Sequence, residues 1–138
     1  MRELPRQLSR EELAELFSGP SRLVDLLAEM DDPLEHAEDV ALSLDEQDQA
    51  AALAQHPRIG EPSPEQRGDN PAVITELAYL NQVYEEKFGF RFVVFVAGRS
   101  RAELLPVLRE RLERTREEEA ETGIRELVAI ARDRWQQR

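Results

Sequence analysis

Residues Asn70 to Gly89, NPAVITELAYLNQVYEEKFG, contain the pattern that decides the fold class. Apolar side chains recur there at three- and four-residue steps, which predicts an amphipathic helix. The apolar positions are Val73, Ile74, Leu77, Leu80, Tyr84 and Phe88. Asn70 is a favoured N-cap residue, Pro71 suits the first helical turn, and Gly89 suits a left-handed stop. The stretch therefore predicts one long helix with defined ends.

The next seven residues, FRFVVFV from Phe90 to Val96, form the only strand-like run in the chain. No second run of this kind is available to pair with it. We therefore expect an extended segment buried between helices and no sheet. Its backbone N–H and C=O groups still need partners, because buried amides are rarely left unpaired. A bound polar ligand, or side chains and water, could supply them.

Helix signals recur along the rest of the chain. Ser9, Ser100 and Thr115 each precede a glutamate by three residues, the capping-box pattern of a helix start. Gly19-Pro20 is expected to end the first helix and begin the second. Asp32-Pro33 is expected to open a third. The pattern predicts an all-α fold: a single-domain bundle of about seven helices over residues 1–138, with one short extended segment.

Composition narrows the function classes. The chain has 138 residues, a net charge of −11 and no cysteine. Strong acidity argues against nucleic acid and against anionic membranes as partners, since both attract basic surfaces. The lack of cysteine excludes a thiolate nucleophile and a disulfide framework. No apolar run approaches a membrane span or the core of a signal peptide, so a cytoplasmic location is expected.

The chain has two histidines, and His56 lies in the more informative context, Gln55-His-Pro-Arg-Ile-Gly-Glu61. Pro57 biases His56 away from helical backbone angles, which places the imidazole at a helix end where a loop begins. Histidine is the side chain best suited to proton transfer near neutral pH. The alternative is a histidine that only complements the dipole at a helix C-terminus.

Arg134 is the second candidate residue, because it falls on the apolar stripe of the last predicted helix beside Trp135. A core-facing arginine needs a carboxylate, a carbonyl or an anionic ligand. The alternative is snorkelling, with the stem packed and the guanidinium in water. The sequence has no HExxH spacing and no glycine-rich phosphate loop, so we expect neither a metal nor an organic cofactor.

Three blocks carry a resemblance to a known family: His56 to Glu61 with Glu65-Gln66, then Leu80 to Val94, then Ile130 to Trp135. Together they resemble the OHCU decarboxylase family (OHCU is 2-oxo-4-hydroxy-4-carboxy-5-ureidoimidazoline), which acts last in the conversion of urate to allantoin. The resemblance implies an all-helical homodimer without a cofactor. It also implies decarboxylation of OHCU, a small-molecule substrate, to (S)-allantoin.

The resemblance assigns roles to individual residues. The catalytic residues would be His56 as acid/base, Glu65 and Arg134, while Pro57 would shape the pocket. Ser63, Glu65 and Gln66 would match a substrate-binding Ser-x-x-Glu-Gln element. Substrate amides would be bound by the backbone of Phe92, Val93, Val94, Phe95 and Val96. Arg134 would also bind the substrate.

This chain departs from the family pattern in the loop after His56. The Ser-x-x-Glu-Gln element is one residue short, so Glu61 rivals Glu65 as the active-site carboxylate. Arg91 also stands where other members commonly have proline. Two alternatives to the decarboxylase therefore remain: an inactive or repurposed helical interaction protein of the same family, and an enzyme acting on a related ureido or hydantoin acid.

Overall fold

The computed structural model describes residues 2–59 and 70–138, and within them it contains seven α-helices and no β-strand. The helices are α1 (Arg10–Leu16), α2 (Arg22–Leu27), α3 (Pro33–Leu42), α4 (Glu46–Ala54), α5 (Pro71–Phe88), α6 (Arg101–Leu112) and α7 (Arg116–Gln137). The predicted all-α class and number of helices are confirmed. In this described part of the chain, no helix is both long and apolar enough to cross a bilayer.

Local capping fixes most of the helix ends, as the sequence predicts. Ser9, Ser100 and Thr115 each form a complete capping box. Asn70 accepts from the Ala72 N–H at 2.9 Å, and Gly89 closes α5 in the left-handed region at φ 80°. These contacts satisfy backbone groups that a helix end would otherwise leave unpaired.

The start of α2 differs from the prediction, because Pro20 does not begin that helix. Ser21 is its N-cap and accepts from the Val24 N–H at 3.3 Å, so α2 begins at Arg22. The two residues before Pro20 adopt positive φ angles, 68° at Ser18 and 152° at Gly19. These angles make a turn between α1 and α2, and Pro20 falls within the connection.

Helix α7 is the centre of the packing and contacts α1, α3 and α4. Its buried residues Ile124, Leu127 and Ala131 follow the predicted apolar stripe. At Gly123 the helix approaches α4 closely, since an added Cβ would lie 3.3 Å from Leu53 Cδ2. The absence of a side chain there allows the contact, which explains a glycine inside a helix despite its low helical propensity.

The extended segment is confirmed: residues 91–96 are neither helix nor strand. Phe92, Val93 and Val94 are buried. The Phe92 ring meets the buried Tyr84 ring of α5 edge-on, with centroids 5.2 Å apart. Aromatic and β-branched residues therefore fix this segment against α5 by packing, without a strand partner.

Candidate active site

A cavity of about 200 Å³ lies between the loop that follows α4, the extended segment and α7. Its lining consists of His56, Pro57, Ile59, Phe92, Val93, Val94, Phe95, Val96, Ile130 and Arg134. The structure thus brings together eight of the predicted site residues, and it adds Ile59 and Ile130, which the sequence did not single out. Ser63, Glu65, Gln66 and the rival Glu61 lie outside the described residues.

Two other features of the described part of the chain lack this combination of groups. A larger cavity, about 400 Å³, lies between α4 and the start of α7 and contains no histidine in its lining. Asp32, Glu35 and His36 bring ligand atoms within 4.8 Å of one another at the start of α3. Because Glu35 and His36 are exposed there, we centre the candidate site on the smaller cavity.

His56 occupies the position that the sequence predicts, just beyond the end of α4. Its backbone N–H donates to the Leu53 carbonyl at 3.2 Å, and the residue is 4% exposed. The imidazole Nδ1 lies 3.3 Å from Ser18 Oγ. Nε2 is buried and makes no hydrogen bond with a described residue. One imidazole nitrogen is therefore held by the protein, and the other remains available to a ligand.

The surroundings of His56 disfavour its charged form. Burial, together with the positive charges of Arg134 and Arg91, lowers the pKa of His56 to about 4. The imidazole is therefore neutral at pH 7. A neutral ring does not complement a helix dipole as a cation would, so the dipole interpretation of His56 is not supported.

Arg134 projects from α7 towards the C-terminal end of α1. Its Nη1 donates to the Leu16 carbonyl at 2.9 Å and to Ser18 Oγ at 2.6 Å. Nε and Nη2 make no hydrogen bond with a described residue. Burial lowers the pKa of the guanidinium, which still carries its charge at neutral pH. Arg134 therefore finds the carbonyl partner expected of an arginine on an apolar stripe and keeps donors for an anion.

Side chains from two neighbouring elements fix the backbone around His56. Arg91 Nη1 donates to the carbonyls of Ala54 and His56 at 2.8 and 2.7 Å. The buried Asn81 of α5 donates to the Ile59 carbonyl at 2.7 Å. Sequence reasoning missed both roles. Asn81 carried one signal, a polar residue within the apolar stripe of a long helix.

The extended segment is held by hydrogen bonds to the backbone of Val93, Phe95 and Val96. Arg111 Nη1 donates to the Val93 carbonyl at 2.7 Å. The Phe95 N–H donates to Glu126 at 3.3 Å, and Arg99 donates to the Phe95 carbonyl at 2.7 Å. Phe92 and Val94 make no backbone hydrogen bond within the described residues. Successive backbone groups of an extended chain point in opposite directions, so the open groups of Phe92 and Val94 point the same way and are the best placed to bind a ligand.

A buried charge network supports the segment from behind. Glu119 of α7 is fully buried and accepts from Tyr84 Oη at 2.6 Å and from Arg111 Nε at 2.7 Å. Its second oxygen accepts from Arg114 at 2.9 Å. Several donors therefore compensate the buried carboxylate, and through Arg111 the network reaches the Val93 carbonyl.

Comparison with known proteins agrees with the fold. A model of the OHCU decarboxylase family matches residues 2–136. A solved OHCU decarboxylase, crystallised in the presence of (S)-allantoin, superposes with a TM-score of 0.77 at 27% identity; the match covers 89% of this chain and 94% of that one. A solved (S)-allantoin synthase shares the fold alone, with a TM-score of 0.66 at 17% identity over 92% of this chain and 52% of that one.

Two curated sequences match part of the chain. One is the uric acid degradation bifunctional protein TTL of Arabidopsis thaliana, 35% identical over 45% of this chain and 24% of that protein. The other is the uric acid degradation bifunctional protein of Bacillus sp. (strain TB-90), 38% identical over 44% of this chain and 12% of that protein. These matches span a quarter or less of each relative, whereas the family match spans nearly the whole of this chain. The chain therefore belongs to the OHCU decarboxylase family.

Proposed function

We propose that this protein decarboxylates OHCU to (S)-allantoin in urate degradation. The observation that carries the proposal is the cavity itself. Within the described part of the chain, a buried neutral histidine, an arginine with two unbonded donor nitrogens and an extended segment with open backbone groups surround one small space. The likeness to a decarboxylase solved with (S)-allantoin supports a ligand of the same chemical class.

The electrostatics of the cavity suit an anionic substrate. Arg134 lines it, and Arg91 lies close enough to lower the pKa of His56. The Nε and Nη2 donors of Arg134 match the planar geometry of a carboxylate. The mostly apolar remainder of the lining lowers the local dielectric and strengthens that attraction. We assign Arg134 to the substrate carboxylate.

The backbone supplies recognition of the ring and the ureido group. Among the described residues, the backbone N–H and C=O of Phe92 and Val94 have no partner, and such a pair complements an amide of the substrate. Val93, Phe95 and Val96 line the same wall, but each of them has a backbone group bonded to a protein side chain. Pro57 shapes the opposite side. The specificity we propose therefore resides mainly at Phe92 and Val94.

The reaction needs a place for the electron pair and a route for a proton. Loss of CO₂ breaks the bond to the carboxyl carbon and leaves the pair on the ring carbon, where the adjacent C=N or C=O accepts it. Arg134 and the backbone N–H of Val94 stabilise the developing charge. As the substrate hydroxyl group becomes a carbonyl it loses its proton, which His56 relays through Nε2. The ring carbon that carries the ureido group takes up a proton from one side, which sets the hand of the product.

The active-site carboxylate lies outside the described residues, and its assignment stays the one that the family resemblance implies. We propose Glu65 in this role, with Ser63 and Gln66 as substrate contacts, and Glu61 as its rival. Comparing Glu65→Gln with Glu61→Gln separates the two. The variant that loses more of kcat identifies the carboxylate at the site.

The test follows freshly prepared OHCU by circular dichroism. Wild type should form (S)-allantoin faster than the spontaneous reaction, and His56→Ala should lose most of that acceleration. His36→Ala, at the other and exposed histidine, is the matched control and should keep the wild-type rate. Equal rates for wild type and His56→Ala would refute the assigned role. A wild-type protein that does not accelerate the loss of OHCU would favour the interaction-protein alternative. A panel of ureido and hydantoin acids tests the alternative of an enzyme that acts on a related substrate.

Four further features stay predictions: a homodimer, a cytoplasmic location, independence from metals and cofactors, and the absence of nucleic-acid or membrane partners. Light scattering of the purified protein measures its oligomeric state. Assays after exhaustive dialysis against a chelator test the need for a metal. That residues 1–138 form a single domain is likewise a prediction.

A further inference from the structure

Ser18 lies between His56 and Arg134, the charged or titratable groups that line the cavity among the described residues, although nothing in the sequence pointed to it. It contacts His56 Nδ1 at 3.3 Å and Arg134 Nη1 at 2.6 Å through the same hydroxyl oxygen. Its φ of 68° lies in the left-handed region, which non-glycine residues adopt uncommonly and often at functional sites.

The donors and acceptors at Ser18 favour one arrangement of protons. Arg134 can only donate, so Ser18 Oγ accepts from it. The hydroxyl hydrogen is then left over, and Nδ1 of His56 is its one acceptor among the described residues. The opposite tautomer would make Oγ accept from both Arg134 and Nδ1–H. The serine hydrogen would then have no described acceptor.

We propose that Ser18 is a positioning residue that holds His56 in the tautomer whose proton is on Nε2. Donation from the Arg134 cation polarises the serine O–H and strengthens its bond to Nδ1, as in other hydrogen-bond chains. These hydrogen bonds all run in one direction, from Arg134 through Ser18 to His56. It ends at Nε2–H, the atom without a described partner.

The tautomer decides whether Nε2 of His56 donates or accepts the hydrogen bond to the substrate, and in this respect the inference rests on the proposed function. A neutral imidazole that carries its proton on Nε2 meets the substrate as a hydrogen-bond donor. Arg134 and His56 then both donate to an oxygen-rich anion. The tautomer is consequently part of the preorganisation of the site, because the orienting hydrogen bond at the other nitrogen decides which nitrogen is protonated.

Nitrogen-15 NMR of the histidine side chains, without substrate, tests the proposal directly. The chain has only two histidines, and His36→Gln assigns the signals. At pH 7 we expect His56 of the wild type to carry its proton on Nε2. Ser18→Ala and Ser18→Gly should each shift the tautomer ratio towards Nδ1–H by about fivefold, which corresponds to about 1 kcal/mol for a typical hydrogen bond. The glycine variant tolerates the positive φ, so folding does not limit the test.

Ser43→Ala is the matched control, because Ser43 bonds the Asp39 carbonyl at an exposed site. It should leave the ratio unchanged. An Nδ1–H tautomer in the wild type, or a ratio in both Ser18 variants within twofold of wild type, overturns the proposal. In the decarboxylase assay the Ser18 variants should lose kcat with little change in KM. A wild type inactive on OHCU would overturn the proposed function, whereas the NMR result would still decide the tautomer.

Discussion

Replacing Tyr84 by phenylalanine tests whether the buried network behind the extended segment stabilises the fold. The substitution removes only the hydroxyl group that donates to Glu119 at 2.6 Å and keeps the ring that packs against Phe92. Hydrogen bonds to charged groups contribute about 1.5–3 kcal/mol. Glu119 keeps Arg111 and Arg114 as donors, so the carboxylate is not left unpaired and the cost stays within that range.

The expected loss converts to a change in melting temperature. At about 2.1 cal/mol/K per residue, a chain of this length has an unfolding entropy of about 0.3 kcal/mol/K. A loss of about 1.5–3 kcal/mol therefore lowers Tm by about 5–10 °C. Tyr79→Phe is the matched control, since Tyr79 is the only other tyrosine and is 63% exposed on the same helix. That variant should stay within about 0.5 kcal/mol of wild type.

The pH dependence gives a second measurement on the same pair. Burial and the neighbouring Glu119 raise the pKa of Tyr84 far above its ordinary value. A raised pKa in the folded state contributes stability below the unfolded value near 10, and that contribution is lost as the pH rises above it. In Tyr79→Phe, tyrosinate absorbance should therefore appear only together with alkaline unfolding. Normal titration of Tyr84 in the folded protein, or a Tm equal to wild type for Tyr84→Phe, would refute the reasoning.

Two further predictions concern His56. With its pKa lowered to about 4 in the folded state and near 6.5 unfolded, stability should fall as the pH drops from 6.5 to 4, by up to about 3 kcal/mol. Denaturant titrations at several pH values should show that His56→Gln lacks this loss, whereas the control His36→Gln keeps it. The same dependence of unfolding free energy on pH in His56→Gln and wild type would contradict the prediction. Arg91→Met removes a charge and the donor to two carbonyls, so NMR should show a higher His56 pKa and assays about tenfold lower kcat/KM. Arg125→Met, at an exposed ion pair, should alter neither.

The features that the sequence predicted are those decided within a few residues. Ser9, Asn70 and Thr115 begin helices because the capping partner is two or three positions away. Gly89 ends α5 because only the local backbone angle matters there. The helix end before His56 followed from Pro57 alone. Short-range interactions of this kind can be predicted from a single sequence.

The contacts that shape the site depend on distant residues, and the sequence could not supply them. Ser18 meets His56 and Arg134 from 38 and 116 positions away. Arg111 reaches Val93 from a helix whose own pattern gives no hint of it. Pro20 was wrongly placed at a helix start because Ser21, one residue later, offered a better cap. Tertiary geometry decided the contacts of Ser18 and Arg111, whereas the start of α2 was a choice between two neighbouring local signals.

The motif residues that carried the resemblance divide into two groups once their contacts are known. His56 and Arg134 line the cavity. Asn81 and Tyr84 do not, yet Asn81 holds the Ile59 carbonyl and Tyr84 bonds Glu119, which holds the Arg111 that contacts Val93. One helix therefore supports both walls of the cavity. It follows that substitutions in α5 that remove these contacts should lower catalytic activity by displacing the cavity walls. Ligand-bound structures of wild type and Tyr84→Phe should then differ in the position of the segment around Val94.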